Sequence, residues 1–159
     1  MSLLRSFLVA FCCIASFGAK ADGSRVVTDA RDSAEWIAKA LYISGYKADF
    51  TVDSLKEIDR FFDDNAPNGR PKPDGLLSSD LGARLFALGS YVGEVIRRSS
   101  DGEWIGNDND SEAEINIALH LNNGTILRPV QRIMKRLLNG NENGVYVYGV
   151  VALSPDLAR

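Results

Sequence analysis

Apolar residues recur with a helical period through the first two thirds of the chain, and the period changes near residue 100. Between Ser24 and Gly45, Trp36, Ile37, Ala40 and Leu41 share one predicted face, with Asp29, Asp32 and Ser33 as candidate N-caps and Gly45 as the stop. A second helix is predicted after Thr51, a capping residue flanked by a Phe50/Leu55 staple. Leu55, Ile58, Phe61 and Phe62 form its apolar stripe. Residues 63–78 carry Pro67, Pro71 and Pro73 with Asn68-Gly69 and Asp74-Gly75, which predicts a long surface loop. The longest helix is then expected from Ser78 or Ser79 to about Arg98, with Leu81, Leu85, Leu88, Val92, Val95 and Ile96 at helical spacing, and it should be central.

Beyond Ser99, Glu103-Trp104-Ile105 predicts a short strand, and the alternation from Ile115 to Leu121 predicts another. Asn122-Asn123-Gly124 is a hairpin turn into Thr125-Ile126-Leu127. Pro129 suits the first turn of a helix whose stripe is Val130, Ile133, Met134 and Leu137, ended by Asn139-Gly140. Val145 to Leu153, rich in valine and tyrosine, is predicted to be a last strand. Together these elements predict an α+β fold, with a central helix and amphipathic helices on a small, mostly antiparallel sheet.

Composition changes the picture mainly at the N-terminus. Arg5, an apolar stretch from Phe7 to Phe17, and Ala19-Lys20-Ala21 have the three parts of a cleavable export signal over residues 1–21, with Ala19 and Ala21 marking the cut. Eleven apolar residues are too few for a permanent bilayer span, which needs roughly 20. The expectation is a periplasmic or secreted protein without a permanent membrane anchor, with residues 22–159 as one domain. Both cysteines, Cys12 and Cys13, lie in the signal, so that domain has no disulfide. Cleavage removes two of the 18 basic residues and none of the 21 acidic ones, taking the charge from −3 to about −5. That sign argues against nucleic acid or an anionic membrane as the main partner and is compatible with a cationic one.

Candidate chemistry is sparse. The only histidine is His120, no serine stands in a G-x-S-x-G turn, and no phosphate-binding glycine motif is present. Asp108, Asp110, Glu112 and Glu114 form an acidic loop without EF-hand spacing; it reads as a solvated loop, a partner contact or, least of all, a metal site. Glu94 precedes Arg97 and Arg98 in the favourable order for helix ion pairs, so it is a structural residue, a partner contact or the best available catalytic acid. Gly82, Gly89 and Gly93 lie on one side of the long helix, where each costs on the order of 1 kcal/mol, so another backbone is expected to approach closely there. Arg128, Arg132, Lys135 and Arg136 read as the wet face of the Pro129 helix.

Gly89, Tyr91, Gly93 and Glu94, then Trp104, then Pro129 with Lys135 and Arg136, form one ordered pattern. It resembles a family of small bacterial domains of unknown function with a G-x-Y-x-G-E helix, a tryptophan strand and a P-x-x-x-[IV]-x-K-R helix. The pattern also resembles, loosely, immunity proteins that protect bacteria from secreted toxins. That resemblance implies a non-enzymatic protein-binding domain of the periplasm, without cofactor or metal, whose partner is a toxin or cell-wall hydrolase. The competing expectations are a small carboxylate-dependent hydrolase using Glu94 and an accessory structural domain of an envelope complex.

Overall fold

The helix expected after Ser79 is the axis of the fold: α3 spans Leu81–Ser100, and every residue from Leu85 to Ile96 is buried. The computed structural model describes residues 23–154, so residues 1–21, expected to be an export signal with its cut marked by Ala19 and Ala21, lie outside the described residues. Helix α1 (Arg25–Ile43) packs along one side of α3 and α5 (Pro129–Asn139) along another. Helix α2 (Leu55–Asn65) packs on α6 (Val145–Ala152). Three short strands, β1 (Glu103–Ile105), β2 (Ala118–His120) and β3 (Ile126–Leu127), form an antiparallel sheet in that order. The described part is 63% helical, and the fold is α+β.

Two of the three glycines on α3 mark close approaches. A Cβ on Gly89 would lie 2.5 Å from the Val130 Cα, and one on Gly93 would overlap the Trp104 ring. Gly82 is different: a Cβ there meets nothing within 4 Å, which corrects the expectation for that position. Tyr91 is fully buried; its hydroxyl accepts from the Phe50 N–H at 3.1 Å and shares a 2.6 Å hydrogen bond with Ser54. The motif residues Gly89, Tyr91, Gly93, Trp104 and Pro129 are thus packing elements where α3 meets α5, β1 and the 50–54 turn.

Several predicted elements need correction. Only Ala118–His120 is strand within 115–121, because Ala113–Asn116 winds into a single helical turn, α4. Val145–Ala152 is a helix and not the expected strand. Its β-branched apolar run suits a buried strand, but one Asp59 carboxylate accepts the Val145 and Tyr146 N–H groups at 2.9–3.0 Å and caps a helix there. Helix α2 runs to Asn65, so the proline-rich loop starts later than residue 63. Asn65 then holds that loop: its amide oxygen accepts from the Leu76 N–H at 3.0 Å and its carbonyl from the Lys72 N–H at 2.8 Å.

Arg136 does not belong to the expected wet face of α5, which Arg128, Arg132 and Lys135 do form. It is 3% exposed and donates to Asp59 at 2.8 Å and Asp63 at 2.6 Å, so α2, α5 and α6 meet at one ionic node. Lys135, one position earlier, is exposed.

Candidate functional site

Glu94 was the leading candidate acid, and the structure places it in the core at 2% exposure. Its carboxylate accepts from Arg97 Nε at 2.7 Å and Nη2 at 3.1 Å, from Arg98 Nε at 3.1 Å and from Trp104 Nε1 at 2.8 Å. Burial alone would raise its pKa; the Arg97 hydrogen bonds, the Trp104 N–H and Arg98 outweigh that and hold it below its ordinary value. A general acid needs the opposite shift and a free oxygen facing substrate. Glu94 instead locks α3 to β1.

The acidic loop divides into two kinds of carboxylate. Asp108 accepts from the Ser24 hydroxyl at 2.7 Å and from the Arg25 and Val26 N–H groups at 2.7 and 2.9 Å. It therefore caps α1 from a distant loop, a role the chain order hides. Asp29, Asp32 and Ser33, read as caps, sit within the helix, and Ser24 holds the N-cap position. Asp110 accepts from the Glu112 N–H and the Asn116 amide, both at 2.9 Å, and shapes its own loop. Glu112 and Glu114 are exposed. Among the described residues no three carboxylate, imidazole or thiol side chains converge to hold a metal ion.

The Val26 and Arg25 N–H groups, followed by the Ser24 hydroxyl, hold the Asp108 carboxyl below its ordinary pKa of 3.8. A carboxylate depressed in the folded state stabilises the fold fully above its unfolded pKa, and that stability disappears as pH falls through the folded value. Asp108→Ala is therefore expected to lower the melting temperature at pH 7. The difference from wild type should shrink below about pH 4, where the wild-type carboxylate also takes up a proton. Glu112→Gln should leave the melting curve unchanged at both pH values, and thermal scans of the two variants check the contrast.

Three adjoining depressions run along α1. Arg25, Asp29, Asp110, Glu112 and Glu114 line a groove at its N-terminal end. Asp29 and Glu114 also line the next depression, with Asp32, Trp36 and Phe86. Trp36 in turn is a wall of an apolar pocket with Ile37, Leu41, Phe61, Leu76 and Leu88. Shared walls make the three depressions one trough. From Asp29 to Ser44 it is roughly 20 Å long at the helical rise, acidic at one end and apolar at the other.

Trp36 corrects the sequence reading most directly. Expected on the buried face of α1, it is 56% exposed, while Ala30, Ala34, Ile37, Ala38 and Leu41 form the buried stripe. Leu76, on the opposite rim of the pocket, is 38% exposed. Arg84 secures that rim by donating to the Leu76 carbonyl and to Ser79 Oγ. The available signal was a second stripe beside the core stripe, Asp29, Asp32, Ser33, Trp36 and Ala40, in which acids and an aromatic share one helical side. Glu94 lies in the core away from the trough, whereas Asp108, Asp110, Glu112 and Glu114 all line the acidic end, Asp108 while capping α1.

Among the described residues no helix is long and apolar enough to cross a membrane. No known protein family matches the chain, and no curated protein or solved structure is significantly similar to it.

Proposed function

We propose that the chain is an exported, non-enzymatic protein-binding domain and that the trough along α1 is its recognition surface. The observation that carries this reading is Trp36, a half-exposed aromatic forming the common wall of an acidic groove and an apolar pocket. Tryptophan at the edge of a pocket is a typical energetic anchor of interfaces. The acids beside it favour a basic partner and speed its approach. A periplasmic immunity protein that occludes a basic toxin or cell-wall hydrolase fits this surface, and occlusion needs no cofactor. A hydrolase based on Glu94 has less support, because that carboxylate is buried and saturated. An accessory domain of an envelope complex would use the same trough.

Trp36 also supplies the assay, since the only other tryptophan, Trp104, is 3% exposed. Basic peptides carrying one leucine or phenylalanine should shift the emission of Trp36 to the blue, and acidic peptides of the same length should not. Trp36→Ala should weaken binding by about 2 kcal/mol or more, roughly 30-fold. Asp29→Asn, Asp32→Asn and Glu114→Gln together should slow association and flatten its salt dependence, because exposed charges are screened within about 8–10 Å at physiological salt. Equal affinity for acidic and basic peptides, or full binding by Trp36→Ala, would reject the trough. Export is tested separately: N-terminal sequencing of periplasmic protein should begin at Asp22, and retention of Met1 would overturn it.

A further inference from the structure

A second surface, along α5, carries opposite charge. Arg128, Arg132 and Lys135 stand at successive helical spacings along one side of α5 and its N-cap, away from the buried Val130, Ile133 and Leu137. All three line one cleft between α5 and α6, together with Gln131 and Tyr148. Like charges at this spacing repel each other, so an isolated cluster of this kind opposes the helix that bears it.

Of the twelve other described lysines and arginines, Lys47, Lys56, Arg60, Arg97, Arg98 and the neighbouring Arg136 each lie within ion-pair distance of a carboxylate. The remaining six, Arg25, Arg31, Lys39, Arg70, Lys72 and Arg84, do not, and among the described residues neither do the three cleft cations. What distinguishes the cleft is that three unpaired cations converge on it. The cleft is also organised. The Arg132 guanidinium stacks 4.4 Å above the Tyr148 ring, which fixes its plane; one terminal nitrogen donates to Asn143 Oδ1 at 3.4 Å and the remaining edge donors face the cleft. Burial pushes the Tyr148 hydroxyl up to about 12, so it stays protonated and uncharged at neutral pH. The first turn of α5 opens with Pro129 and has no side-chain cap, which places the positive end of that helix dipole beside Arg128.

We propose that this cleft binds a phosphate-type oxyanion, a phosphate monoester or diester, held by Arg128, Arg132 and Lys135, with the second N–H of the Gln131 amide, whose first donates to Asn116 Oδ1 at 3.3 Å, as a further donor. Two guanidinium forks and an ammonium match the several oxygens and multiple charge of a phosphoryl group. The group has two possible sources, a soluble phosphorylated molecule and an anionic lipid headgroup. Ile126, 53% exposed on the cleft wall, is the apolar contact that a lipid would use. The cleft shares no lining residue with the trough.

The test uses the chain from Asp22 onward and inorganic pyrophosphate as the soluble probe, followed by the side-chain N–H resonances of Gln131 and the arginines. Saturable shifts at millimolar pyrophosphate or below are expected. The double variant Arg128→Gln/Lys135→Gln should weaken that binding about tenfold or more while keeping the wild-type melting curve, since both side chains are exposed. Arg31→Gln/Lys39→Gln removes the same charge from exposed positions on α1 and should bind as wild type does. Sedimentation with phosphatidylcholine vesicles, with and without phosphatidylglycerol, separates the two sources. Binding only to phosphatidylglycerol vesicles, lost in the cleft variant, assigns the lipid headgroup; pyrophosphate binding without vesicle preference assigns a soluble ligand. No saturable binding to either probe, or equal losses in the cleft and α1 double variants, would overturn the proposal.

Discussion

Alanine at Gly89 is expected to destabilise the domain by about 1–3 kcal/mol, even though alanine is the better helix former by about 1 kcal/mol. The added Cβ would sit 2.5 Å from the Val130 Cα and 2.9 Å from its nitrogen. Those are backbone atoms at the start of α5, so no side chain can turn aside, and the two helices must separate. Separation also loosens Pro129 and Trp104, which pack at Gly93 one turn further along. Leucine at either glycine should cost more still. Gly82→Ala is the unclashed control: its Cβ meets nothing within 4 Å, so a helix-propensity gain, smaller in this first turn than the ~1 kcal/mol of a helix interior, should appear. Urea denaturation of the two alanine variants should move in opposite directions, and a Gly89→Ala midpoint at or above wild type would show that α3 and α5 are not in tight contact.

The second large effect is expected at Glu94. Glu94→Gln should destabilise by about 2–4 kcal/mol at pH 7, because a buried carboxylate serving four donors is replaced by an amide that brings donors of its own. The upper part of the range for breaking a buried pair is not reached here, because Arg97 and Arg98 are 30% and 36% exposed and can turn to water. Trp104 cannot, and its N–H is left against the new amide. The folded pKa of Glu94 lies below 4.5, so its contribution is complete above that pH and is lost as pH falls through the folded value. Wild type and Glu94→Gln should therefore converge in stability in acid. A constant difference from pH 7 to pH 3 would mean that charge is not what Glu94 contributes.

The parts of this fold that were legible in the sequence rest on local signals. The spacing of Leu85, Leu88, Val92 and Ile96 reports the central helix, Asn123-Gly124 reports the hairpin and Pro129 the start of α5. The parts that were not legible depend on partners distant in the chain. Val145–Ala152 reads as a strand until Asp59, 86 residues away from Val145, supplies a cap. Asp108 reads as a free loop acid until Ser24, Arg25 and Val26 are brought to it. Trp36 reads as core because hydrophobicity says nothing about which of two adjacent stripes another helix covers. Of the candidate site, Asp110, Glu112 and Glu114 were visible beforehand, whereas the pocket beyond Trp36 is assembled from α1, α2, α3 and the loop at Leu76.

The Asp59 node also carries a consequence for the order in which the chain assembles. Helix α6 is eight residues long and rich in β-branched side chains, too short and too ill-suited to nucleate on its own. Its cap belongs to α2, and the same carboxylate is held in place by Arg136 from α5. Until those two helices have met, Val145–Ala152 has no template and keeps the intrinsic preference of an extended, adhesive segment. Helix α6 is thus expected to form only once α2 and α5 have met, with Asp59 as the contact that couples the three.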